Sequence, residues 1–209
     1  MVEPYLRQSP LTHLALSARA QAARDDDKAP AAAGLVMAER PFRRILNLRG
    51  NPKADAFLAA ARTVLGTDLP LKANSASASD GVTLLWLGPD EWWAITEAGT
   101  PPLADRLQDA FSGQHTAVTE VGEGYGCIAV SGPRAADVLA KGSPLDFHDS
   151  VFAPGSCAQG DMAKATVVFH RLDDRTNPSF EIYVRSSFAE YLWRWIEDAA
   201  GEYGVIVTG

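Results

Sequence analysis

The 209-residue sequence has few cysteines, few histidines, a deficit of positive charge and no long apolar run. Two cysteines, Cys127 and Cys157, are too few for a disulfide framework and lack the paired spacing of a zinc site. They are expected as reduced, buried thiols of a cytoplasmic protein. Four histidines (His13, His115, His148, His170) are scattered and form no short-spaced metal motif. No stretch approaches the ~20 apolar residues of a membrane span, so no membrane partner is expected. The opening "MVEPYLRQSPLTHL" lacks the apolar core and cleavage pattern of a secretory signal. Lys and Arg number 19 against 26 Asp and Glu, a net charge of −7. A chain of that sign repels phosphate backbones, which argues against nucleic acid. Phosphate loops are missing too: the glycines of "VGEGYG" (121–126) precede a strand instead of linking a strand to a helix. No serine sits in a G-x-S-x-G elbow.

What the sequence does contain is a doubled pattern. Hydrophobic residues make up 46%, enough for one sizeable domain or two small ones sharing a core. Residues 1–34 read as an apolar arm followed by an Ala-rich, charged linker at 17–34. From residue 42, "FRRILNLRG" reads as a strand. Asn51-Pro52 then opens a helix carrying Phe57, Ala60, Ala61, Val64 and Leu65, which Gly66 ends. "GVTLLWL", a GPDE turn and "WWAITE" read as a hairpin. A helix with Leu103, Leu107, Ala110 and Phe111 follows, then the strand "HTAVTEV". The second half repeats this order: "GCIAVSG", a helix from Pro133, "ATVVFH", "FEIYVR", a helix from a Ser187–Glu190 capping box, and "YGVIVT". Each half, about 35–121 and 122–209, is therefore expected to be a ferredoxin-like βαββαβ unit. The two pack as one α+β domain over 35–209.

The stretch "LWLGPDEWWAI" sets Trp86, Trp92 and Trp93 around Asp90 and Glu91. Within this frame the acids are turn residues. The adjacent tryptophans alternate across their strand, so one ring is expected in the core and one facing outward to a partner. Arg43 and Arg44, with Arg40 and Arg49, form a basic cluster read either as a solvated strand face or as a docking surface for an acidic partner. Trp86, Trp92, Trp93, Arg43 and Arg44 are thus the candidate partner-interface residues. "LDFHDS" (145–150) suggests an acid–base pair or a surface loop, and "PGSCAQGDMAKA" (154–165) an irregular stretch. Asp146, Gln159 and Lys164 are the candidates for a small-molecule pocket. No catalytic or metal-binding residue is assigned.

Several segments taken together, "RQSPLTHL", "LNLRGNP", "LWLGPDEWW", "VSGPRAADVLAKGSPLDFH", "PGSCAQ" and "VRSSFAEYLWRWIEDAAGEYG", resemble the gamma subunits of heterotetrameric sarcosine oxidases. More remotely, the second half resembles the folate-binding domain of glycine-cleavage aminomethyltransferases, also a duplicated ferredoxin-like arrangement. The resemblance implies a subunit of a complex that oxidatively demethylates sarcosine to glycine. Oxygen is consumed and hydrogen peroxide is released, with formaldehyde or 5,10-methylenetetrahydrofolate as co-product. It implies FAD, FMN, NAD and zinc on the alpha, beta and delta subunits, no cofactor on this chain, and a structural role in assembly. In the aminomethyltransferases an acid lies near the position of Asp146, which leaves a folate-binding one-carbon transfer protein as the alternative.

Overall fold

Alanine and arginine dominate residues 16–25, and both favour helix. The segment forms helix α1 (Leu16–Asp25) in place of the loop expected there. Leu16 and Ala20, one turn apart, are buried, and two such positions are enough to seat a short helix. The computed structural model describes residues 6–25, 33–79, 81–97, 99–172 and 177–208. The rest of the expected linker (26–32) and residues 173–176 of the polar stretch "RLDDRTNP" (171–178) fall outside them. Two compact units emerge. One comprises the chain through Pro41 with Tyr125–Pro154 and Gly160–Gly209; the other comprises Phe42–Gly124 with Gly155–Gln159.

In chain order the elements after α1 are β1 (Leu35–Glu39), β2 (Arg44–Arg49), α2 (Asp55–Leu65), β3 (Ala76–Ser79), β4 (Val82–Gly88), β5 (Glu91–Thr96), α3 (Ala104–Ala110) and β6 (Ala117–Glu120). There follow β7 (Tyr125–Ser131), α4 (Ala135–Ala140), β8 (Cys157–Met162), β9 (Ala165–Arg171), β10 (Ser179–Arg185), α5 (Ala189–Ala199) and β11 (Val205–Thr208). The first repeat builds a five-stranded sheet in the order β3-β4-β5-β2-β6. Strands β4-β5-β2-β6 are those of a ferredoxin-like unit, with β5 between the parallel β2 and β4, antiparallel to each. The second repeat follows the same order, β8-β9-β10-β7, but then departs: β1 stands between β7 and β11.

That insertion corrects the expected halves. Residues 35–39 precede the first repeat in sequence, yet β1 pairs antiparallel with β7 and parallel with β11. Short β-branched and Leu/Met segments carry no label saying which sheet they join. Each repeat also holds one strand more than expected, β3 and β8. β8 arises from the stretch read as irregular, because its burial alternates poorly around Gln159, Gly160 and Asp161.

The first-repeat core sits between α2, α3 and one sheet face. Phe57, Ala61 and Leu65 on α2 and Leu107 on α3, with Phe111 just beyond it, meet Leu46, Leu48, Leu84, Trp92 and Ala94. The Phe57 ring lies 5.8 Å from Trp92 and 4.9 Å from Phe111. α2 starts at Asp55, a turn later than expected; Asn51 Oδ1 instead accepts the Lys53 N–H in a local turn. Gly66 ends it in the left-handed region, its N–H bonded to Arg62 O. In the second repeat Leu192, Trp193 and Ile196 of α5 are buried. Phe188, just before the helix, is 44% exposed. A 3-10 turn at Ser186–Phe188 shifts the helix start and removes the expected capping box; Glu190 bonds Arg194 and His13 instead.

Gly132, at the end of β7, has φ +130°, and a Cβ there would lie 2.5 Å from Gly34 O. Both restrictions act together, so Gly132→Ala should destabilise the fold by roughly 1–3 kcal/mol. Urea unfolding followed by circular dichroism measures it; an unchanged midpoint contradicts the fit described.

Candidate functional site

The hairpin between β4 and β5 carries the most concentrated chemistry of the sequence, and the fold spends it on structure. Asn47 and Arg49 of β2 face Trp93 and Glu91 across the ladder. Glu91 accepts from Asn47 Nδ2 at 2.6 Å and from Arg49 Nη1 at 3.1 Å, and Arg49 Nη2 donates to Asp90 at 2.9 Å. Both acids therefore pin the turn to the neighbouring strand.

The expected outward tryptophan is absent from positions 92 and 93. Trp92 is 0% and Trp93 3% exposed. Alternation does send the rings to opposite faces, but this sheet is buried on both: Ile45, Leu85 and Ile95 are also inside on the Trp93 side. Trp92 Nε1 donates to Pro70 O at 2.8 Å, which satisfies its buried N–H. Trp86 is half-buried against the helix-side core. The basic cluster is likewise engaged within the chain. Arg43 meets Glu97 at 3.1 Å, Arg44 lies 3.9 Å from Glu120, and Arg49 holds the hairpin acids. An acidic partner would have to displace these carboxylates.

The pocket candidates occupy local roles. Asp146 is exposed, and its Oδ1 accepts the His148 N–H at 2.9 Å. His148 Nδ1 lies 2.8 Å from Ser150 Oγ, and Asp149 lies 2.6 Å from the fully buried Arg171. Arg171 also donates to Phe152 O at 2.7 Å, so it ties this loop to β9. "LDFHDS" is thus a folded surface loop. Lys164 is exposed in the turn after β8, and no hydrogen bond or ion pair joins it to Asp146. Gln159 Nε2 donates to Leu87 O at 2.9 Å.

Two cavities accompany the first-repeat sheet. An open cleft of about 670 Å³ is lined by Arg49, Asn51, Asp90 and His115 among others, with its opposite charges already paired. A smaller space of about 10 Å³, room for one water, lies between Arg44, Leu46, Leu103 and Glu120. Neither is lined by Asp146, Gln159 or Lys164. Among the described residues no group of three His, Cys, Asp or Glu is placed to hold a metal ion, and no helix is long and apolar enough to cross a membrane.

Sequence reasoning missed the buried polar groups of the other sheet. Tyr183 donates to Glu181 Oε2 at 2.5 Å, and His170 Nδ1 lies 3.9 Å from the same oxygen. Their alternation on β9 and β10 was legible; their burial was not. Glu39 on β1 anchors the N-terminal arm by accepting from Ser9 Oγ at 2.9 Å. Burial raises its carboxyl above the ordinary range, partly offset by hydrogen bonds from Ser9 and the Leu11 N–H.

Against this geometry, the model of the sarcosine oxidase, gamma subunit family matches residues 49–202. The chain belongs to that family. A sarcosine oxidase subunit gamma from Arthrobacter sp. is 33% identical over 95% of this chain and 92% of its own length. A solved chain of the heterotetrameric sarcosine oxidase from Corynebacterium sp. U-96 superposes with a TM-score of 0.81, at 31% identity over 95% of this chain and 96% of that one. The aminomethyltransferase T of Bartonella henselae shares the fold, with a TM-score of 0.61 at 18% identity, over 79% of this chain and 46% of that one. The family's fold is thus α+β, a duplicated ferredoxin-like arrangement similar to that of the aminomethyltransferases.

Cys157 shows how completely one thiol is withdrawn from chemistry. Its side chain lies 3.3 Å from both Ser75 O and Trp86 O, and burial pushes its pKa up to about 11. The folded form binds the proton more tightly than the unfolded one, so ionisation costs stability only as pH rises through about 9 to 11. At pH 8 alkylation of Cys157 by iodoacetamide should therefore proceed only at the rate of unfolding; rapid labelling of the native chain, read by mass spectrometry, contradicts this burial.

Proposed function

We propose that this chain is the gamma subunit of a heterotetrameric sarcosine oxidase and that its role there is structural. The complex oxidatively demethylates sarcosine to glycine, with hydrogen peroxide and formaldehyde or 5,10-methylenetetrahydrofolate as co-products. FAD, FMN, NAD and zinc reside on the alpha, beta and delta subunits, in the cytoplasm. The observation that carries the reading is the family membership, with likeness to the gamma chains over 95% of the sequence. The site supports it: the acids, arginines and amides that sequence singled out are consumed in turns, ion pairs and strand staples. A general acid or base needs a proton-transfer partner within reach of a substrate, and these groups already hold partners in their own chain.

The aminomethyltransferase fold favours a second reading, a folate-binding one-carbon transfer protein. That reading needs a deep apolar cavity with a converging acid. Asp146 is instead exposed and bonded to the backbone of its own turn.

Affinity capture of the tagged chain from its native cytoplasm should return three further polypeptides in fixed stoichiometry, with flavin absorbance in the eluate. Recovery of the chain alone contradicts the subunit reading. Titration of the isolated chain with tetrahydrofolate should leave tryptophan emission unchanged; saturable quenching in the micromolar range supports the second reading instead.

A further inference from the structure

We infer that the open edge of β6 seats an extended segment of another subunit, added to the sheet as a further strand, with a lysine or arginine beside Glu120. The inference rests on the subunit reading above. Among the described residues β6 pairs with β2 alone. Val121 N–H donates to Ile45 O at 2.8 Å, which makes that opposed pair a hydrogen-bonded one. Antiparallel alternation then turns the backbone of Ala117 and Thr119 toward β2, and the backbone of Val118 and Glu120 away from it. Ala117, Thr119 and Glu120 are exposed. Among the described residues, no backbone hydrogen bond from outside the sheet reaches Val118 or Glu120.

The duplication supplies an internal comparison. β11 holds the equivalent position in the second repeat, and there β1 pairs along one side while α1 packs against it. β3, the opposite edge of the β6 sheet, is met by residues 155–157: Ala76 N–H donates to Gly155 O at 2.7 Å, and Cys157 N–H to Asn74 O at 3.0 Å. β6 likewise has one strand partner, β2, and α3 packs against it, so among the described residues it is the outer backbone edge of β6 that stays open. It contains no proline, lysine or bulge to blunt the edge, and only its four-residue length and Glu120 limit strand addition there.

Charge names the occupant. The Glu120 side chain is half-exposed and pairs with Arg44 at 3.9 Å, so a basic side chain of the incoming strand would share it with that arginine. Glu123 lies exposed three residues on, in a chain of net charge −7. A strand laid along this edge gains main-chain hydrogen bonds for affinity and a basic side chain at Glu120 for register. A second copy of this chain would set the same acidic edge against itself.

Hydrogen exchange on the full chain, alone and in the assembled complex, tests the inference. The amides of Val118 and Glu120 should exchange freely in the isolated chain and at least about ten-fold more slowly in the complex. Val118→Pro removes an N–H that points away from β2, so the existing ladder survives and incorporation into the complex should fall about ten-fold; Glu120→Lys should lower it as well. Equal exchange in both states, with Val118→Pro assembling like the unmodified chain, overturns the inference and leaves the subunit reading standing. Self-association of the isolated chain that Val118→Pro abolishes overturns it in favour of a second copy. Failure of the unmodified chain to join any complex overturns the subunit reading, and this inference with it. Should Val118→Pro not fold, the exchange comparison on the unmodified chain decides.

Discussion

A sheet buried on both faces is the constraint from which the rest of the first repeat follows. Strand alternation sends Leu46, Leu48, Leu84 and Trp92 toward the helices and Ile45, Leu85, Trp93 and Ile95 the other way, and all eight are inside. Two adjacent tryptophans are tolerable only under that condition, since a one-sided sheet would leave one indole in water. Burial on both sides also leaves the polar residues of the sheet few options. The partly buried Asn47 and the exposed Arg49 lie on the same side as Trp93 and both end in the hairpin carboxylates; for the amide, a buried group without a partner would be costly.

The second repeat solves the same problem with more polar groups inside. His170, Arg171, Glu181 and Tyr183 are all buried on β9 and β10. Arg171 is held by Asp149, by the Phe152 carbonyl and by the Phe180 ring at 5.5 Å. That arginine binds the loop after α4 to the sheet, so the aromatic cluster of Phe147, Phe152, Phe169 and Phe180 closes around a fixed loop.

The asymmetry between the repeats comes from the N-terminal segment. β1 slots between β7 and β11, Leu11 and Leu16 bury against the same unit, and α1 is held to α5 by ion pairs of Arg19 with Glu197 and, just before it, His13 with Glu190. Among the described residues the first repeat receives no such strand, and β6 ends its sheet with β2 and α3 against it. The duplicated framework therefore offers a six-stranded sheet and a five-stranded one.

Periodicity and punctuation carried the sequence a long way. Alternation in "ILNLR", "TLLWL" and "WWAIT", the glycine after α2, and the matching order of the halves were sufficient to define the repeated helices and strands, because strand and helix periods are local properties. The acids of the hairpin were legible as turn residues for the same reason. Three things were decided only in three dimensions. Which sheet β1 joins depends on a pairing made across some ninety residues with β7, and no local pattern encodes it. Whether Trp93 faces a partner or an interior depends on what covers the second face of its sheet. And whether an arginine or an aspartate is available for chemistry depends on which side chain stands opposite it; Arg49 and Glu91 are 42 residues apart and meet only because β2 and β5 pair.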